Sequence, residues 1–163
     1  MKTKIILALF IASFVLTSCN KYEDGPLISL RKPLTRILGS WEVYYFDMNG
    51  NDLTQIYKDS CNCNFGFIDE KSTPIYFINY NCKPNINFGG DFKLIDNDYK
   101  ISIKLGFSDI QHSPNDTIKY FNIFGHFTNI IWDIKRLKYK DLWITYNENS
   151  TDYFIKLKKI EKN

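Results

Sequence analysis

YKISIKLGF, residues 99–107, is the stretch that decides the fold class. Tyr99, Ile101, Ile103, Leu105 and Phe107 alternate with Lys100, Ser102, Lys104 and Gly106, so period two sets five apolar side chains on one face. That is a strand of an antiparallel sheet with one wet side. Asp96-Asn97-Asp98 turns the chain just before it, and 88–95 reads as the preceding strand, with Gly89-Gly90 marking a bulge or bend. Downstream, 117–124, 128–137 and 141–146 repeat the pattern, with Ile130, Trp132 and Ile134 on one face of the second. In 152–160, Tyr153, Ile155 and Leu157 point inward and Lys156 and Lys158 outward. Upstream, WEVYYF (41–46) runs into Asp47-Met48-Asn49-Gly50, whose Asn-Gly pair tolerates positive φ. Segments 53–58, 65–68 and 74–80 follow as further short elements, and one helical turn fits near 34–38.

About eight or nine strands joined by short turns, with no long amphipathic helix, define an all-β chain. An antiparallel up-and-down barrel of about eight strands is the economical closure, because it leaves no exposed edge. Composition agrees: aromatic residues make up 17% of the 163, and β-branched and aromatic side chains suit a pleated, half-buried surface.

The chain opens with MKTK, an apolar run over 5–16, then Thr17-Ser18-Cys19. Charged start, apolar middle and small residues before a break are the parts of a secretory signal peptide, here 1–18. The run falls short of the roughly 20 residues a bilayer span needs. Removing 18 of 163 residues leaves 145, enough for one domain, with 19 basic side chains after loss of Lys2 and Lys4 against 18 acidic ones. That balance carries no electrostatic footprint for nucleic acid.

LTSC (16–19) resembles the lipobox of bacterial lipoproteins, which implies that Cys19 is the lipidated residue and the membrane anchor. Residues 19–36 then form anchor and tether, broken by Gly25-Pro26 and Lys32-Pro33, and 37–163 the barrel domain. As a flexible coil, about 16 tether residues would span roughly 20–25 Å. NKYED (20–24) is similar to the acidic export signals of Bacteroidota lipoproteins, implying an outer-membrane location at the cell surface or on the periplasmic face.

LGSWEV (38–43) resembles the Gly-x-Trp opening of lipocalins, and 132–137, 141–144 and 153–158 resemble the closing strands of lipocalin-like lipoproteins of Bacteroidota. The resemblance implies a lipocalin-like barrel in which Gly39 and Trp41 are structural, the tryptophan packing across the closed end.

Barrel mouths are usual places for small-ligand sites. Alternation turns Phe92, Ile103, Leu105, Tyr120 and Trp132 inward, as the lining for a small hydrophobic ligand or as core filling. With a filled core, the loops around 61–67 would instead contact another envelope protein. Three cysteines remain after Cys19, and in an oxidising space Cys82 pairs with either Cys61 or Cys63, with Cys63 and Cys82 as the working pair. Catalysis has little to stand on: His112 and His126 lie in connections, Ser113 beside His112 supplies no triad geometry, and no cofactor motif is present. Asp69-Glu70 and Asp96-Asn97-Asp98 read as turn acids, without the glycine and glutamate spacing of a calcium loop. The expectation is therefore a binding protein, neither enzyme nor metalloprotein.

Overall fold

The computed structural model describes residues 21–22, 30–60, 63–70, 76–82, 86–107 and 129–161. Nine strands build one antiparallel sheet: β1 (Gly39–Met48), β2 (Asn51–Asp52), β3 (Asn64–Asp69), β4 (Tyr76–Cys82), β5 (Ile86–Ile95), β6 (Lys100–Phe107), β7 (Ile130–Leu137), β8 (Asp141–Glu148) and β9 (Thr151–Lys159). Neighbours follow chain order from β3 to β9, and β1 pairs with both β3 and β9. Setting aside the two-residue β2, eight strands each hold two partners, so the ladder returns to its start. This is the all-β up-and-down arrangement expected from the sequence.

Register explains which side chains face in. Across β8 and β9, Leu142 sits opposite Leu157, Ile144 opposite Ile155 and Tyr146 opposite Tyr153, all on the inner face. Bulges interrupt two strands, between Val43 and Tyr45 on β1 and between Ile134 and Arg136 on β7. Each puts an extra residue into the ladder, so inward positions step by three, from Val43 to Phe46 and from Ile134 to Leu137. Strict alternation cannot run through either strand. Gly89-Gly90, in contrast, keep continuous register with β4 and β6, so no bulge interrupts the pairing there.

One end of the barrel is shut. Helix α1 (Pro33–Ile37) begins with proline at its first turn, where a missing N–H costs nothing, and buries Arg36 and Ile37. The Arg36 guanidinium donates to the Leu137 carbonyl, tying α1 to the foot of β7. The turns at 96–99 and 138–140 lie at this closed end. The tight turns at 49–50 and 149–150 lie at the opposite end, the mouth, where Asn49, Asn149 and Ser150 take positive φ.

Two sequence expectations change. Segment 53–58 is helical, in α2 (Thr54–Ser60): the Asp52 carboxylate accepts from the Thr54 amide at 2.9 Å as a cap, and Tyr57 packs on Phe46 at 5.8 Å. Nor is the tether free throughout. Lys21 forms a 2.8 Å ion pair with Asp98, and the Tyr22 hydroxyl donates to the Asp98 carbonyl at 2.9 Å. Tyr22 is buried among the core residues, its ring edge-on to Tyr99 at 6.1 Å and 5.5 Å from the Arg36 guanidinium. Segment 117–124, expected as a strand, lies outside the described residues.

Candidate functional site

Burial of the inward side chains changes along the barrel axis. From the closed end to mid-barrel, Trp41, Ile101, Ile103, Trp132, Leu142, Ile144, Ile155 and Leu157 are fully enclosed. Nearer the mouth, Met48 on β1, Tyr146 on β8 and Tyr153 on β9 pack against this core but stay half-buried. Tyr146 lies 5.3 Å from Trp132 and stacks on Tyr153 at 6.1 Å with rings inclined 22°. Leu53 and Tyr57 close in from the α2 side. Desolvation, and after it the charge of Glu148, raise the pKa of the Tyr146 and Tyr153 phenols above the usual value. Both hydroxyls therefore stay protonated and can donate. The mouth half thus offers stacked aromatic faces, a flexible thioether and two polar tips, a combination suited to a small apolar molecule with a polar end.

Of the residues expected to line the interior, Phe92, Ile103 and Trp132 do point inward, but at 3%, 0% and 0% exposure they belong to the packed core. Phe92 meets Phe67 edge-on at 4.9 Å. The side chain of Leu105 and all of Tyr120 lie outside the described residues. Alternation reports the face of a strand and not the height along it. Tyr146 and Tyr153 carried the same inward signal.

The two positions expected to be structural meet at the closed end. Trp41 is enclosed, and its indole N–H donates to the Ile37 carbonyl at 2.7 Å. The Lys159 ammonium sits 4.8 Å above the Trp41 ring and donates to the carbonyls of Arg36 and Leu38, both at 2.7 Å. Gly39 has φ +126, and a Cβ there would stand 3.4 Å from Lys159 Cε. Glycine is thus favoured by the backbone, while the lysine beside it stands at ordinary contact distance. Burial, and secondarily the charge of Arg31, pull the Lys159 pKa down to about 8.

Cys63 is buried and disulfide-bonded. Asn64 pairs with Asn81, so the next step of the same register sets the backbone of Cys63 against that of Cys82. Cys61, His112 and His126 lie outside the described residues. Asp96, Asn97 and Asp98 all take positive φ in a turn, and their charges are used locally, Asp96 toward Lys100 at 3.5 Å and Asp98 toward Lys21. Among the described residues no group of three or more His, Cys, Asp or Glu is placed to hold a metal.

A separate cleft of about 840 Å³ lies outside the sheet beside β3, bordered by Thr35, Gly39, Asn64, Ile68, Tyr139 and Ile160. Arg31 stacks on the Tyr139 ring at 4.4 Å and Lys159 lies 4.8 Å from the same ring, which gives the cleft a cationic rim.

No protein-family model matches the chain, and no curated protein matches it. Among solved structures, a lipocalin-like protein from Bacteroides uniformis shares 16% identity over 77% of this chain and 99% of its own, with a TM-score of 0.44. An uncharacterized protein from Bacteroides eggerthii shares 19% identity over 73% of this chain and 97% of its own, with a TM-score of 0.46.

Proposed function

We propose that this chain is a lipocalin-like lipoprotein of the Bacteroidota envelope, held at the outer membrane by a lipid on Cys19, and that it binds a small hydrophobic ligand in the mouth half of its barrel. The observation that carries the reading is the burial gradient: a sealed lower interior beneath half-buried Met48, Tyr146 and Tyr153. A ligand there covers apolar surface left partly wet by the fold, at roughly 25 cal/mol for each Å² removed from water. The chemistry is read as binding rather than catalysis: the polar groups offered are protonated phenols, and the Glu148 carboxylate beside them is hydrogen-bonded to Tyr146.

The complete burial of Phe92, Ile103 and Trp132 favours a second reading, in which the whole barrel is filled and the loops contact another envelope protein. Native mass spectrometry of the chain from Asn20 onward, purified from its envelope, separates the two. An adduct that disappears on unfolding supports the ligand reading. A clean apo mass, unchanged after incubation with envelope lipid extract, refutes it and leaves the filled barrel.

A further inference from the structure

We propose that the closed end of the barrel is the surface that rests on the membrane, with the mouth held away from it. The inference rests on the reading of Cys19 as the lipidated residue, and goes beyond it by fixing how the domain sits. Lys21 and Tyr22 do not belong to a loose leash: they are locked to the 96–99 turn by the Lys21–Asp98 ion pair and the Tyr22–Asp98 hydrogen bond, with the Tyr22 ring wedged between Tyr99 and Arg36. Two peptide units separate Cys19 from Lys21, so their Cα atoms stand at most about 7 Å apart. An acyl group on Cys19 therefore enters the bilayer directly beneath this end.

The surface there has the character of a headgroup contact. Leu30 is fully exposed, and Tyr99, Tyr139 and Ile160 are each exposed by a third to a half. Arg31 and Lys32 are exposed beside them. Aromatic rings with flanking lysine and arginine are the side chains that settle at the membrane–water boundary, and the cations suit anionic headgroups. Three acids at this end are paired, Asp98 with Lys21, Asp96 with Lys100 and Glu161 with Lys140, while Asp69 at the end of β3 is exposed. The two tight turns described at the mouth carry only Asn49, Gly50, Asn149 and Ser150, though α2 beside them exposes Ile56 and Lys58.

Hydrogen exchange on the full lipidated chain in vesicles of phosphatidylethanolamine and phosphatidylglycerol, compared with the chain from Asn20 without vesicles, tests the orientation. Intact mass first reports whether Cys19 carries acyl groups. Expected is exchange slowed several-fold at 30–32, 96–99 and 138–140, with 49–50 and 149–150 unchanged. A variant combining Tyr22→Ala with Asp98→Asn leaves the lipid in place but frees the clamp, and should lose most of that protection. Acylated chain with protected mouth turns, or with both ends exchanging as in the soluble chain, overturns the orientation alone. A mass without acyl groups overturns the anchor and the orientation with it. Protection that survives in the clamp variant also counts against the proposal, because the clamp is what aims the barrel.

Discussion

Replacing Trp41 by phenylalanine removes a group that joins α1, β1 and β9 at the closed end. The indole N–H donates to the Ile37 carbonyl at 2.7 Å, in a site without solvent. That carbonyl lies at the end of α1, where a helix has no partner of its own to offer. Leaving such an acceptor unpaired costs roughly 1–3 kcal/mol. The smaller ring leaves a void worth about 1 kcal/mol at ~24 cal/mol per Å³. The Lys159 ammonium over the ring gives up a further fraction, since phenylalanine is a poorer cation partner than tryptophan. About 3 kcal/mol in all is a large share of the 5–15 kcal/mol typical of a domain. Urea unfolding of the chain from Asn20, with disulfide intact, should show it as a midpoint lowered by about 1–3 M, given slopes of roughly 1–3 kcal/mol per M. Trp143→Phe is the control, because Trp143 is half-buried on the outer face and water can replace its bonds to Tyr44 and Asp141. Equal shifts for the two variants, or a Trp41→Phe cost under about 1 kcal/mol, would refute the assignment of Trp41 as the closing element.

Peptide mapping without reduction should recover Cys63 joined to Cys82 and Cys61 alkylated; a Cys61–Cys63 peptide would sink the pairing inferred from strand register. Thermal stability should rise with pH from about 8 toward 10, because Lys159, lowered from 10.5 to about 8, leaves the unfolded chain holding more protons there. It should fall above pH 10, where Tyr22, raised from 10.0 to about 12, makes the folded chain the one that holds the extra proton. Lys159→Met removing none of the rise, or Tyr22→Phe none of the fall, would contradict these assignments. Tyr146→Ala and Tyr153→Ala should each weaken a ligand found by native mass spectrometry by about tenfold, as expected for loss of an aromatic contact of ~1.5 kcal/mol. Trp143→Ala, on the outer face, should leave that affinity alone, and equal losses at all three positions would place the ligand elsewhere.

The barrel was legible because period two survives in most strands, and residues 99–107 carry it without a break. What escaped had tertiary causes. Helix α2 competed with a strand reading, and its signals were present: Asp52 as cap, then Leu53, Ile56 and Tyr57 at helical spacing. Both bulges break alternation where aromatic and aliphatic residues run together, as in Tyr44-Tyr45-Phe46, so composition hides the shift of phase. The docking of Tyr22 depends on Asp98, 76 positions away, and nothing local marks a tyrosine among Pro, Gly and charged residues as a core side chain. The half-burial of Tyr146 and Tyr153 escaped for another reason: height along the barrel follows from how all eight strands are staggered, which no single strand encodes.

The seam between β1 and β9 also sets when the molecule can be finished. Lys159 reaches the carbonyl of Arg36 across 123 positions, and the whole of β1 from Trp41 to Met48 waits for β9 as its partner. During synthesis the first strand emerges early and its partner last, so the sheet spends that interval with two raw edges. Closing so long a loop is an entropic cost met before the seam returns anything, and all-β chains of this kind fold in milliseconds to seconds rather than microseconds. Three lysines, Lys156, Lys158 and Lys159, put charge on the strand that closes the seam, the kind of side chain that discourages edge-to-edge pairing.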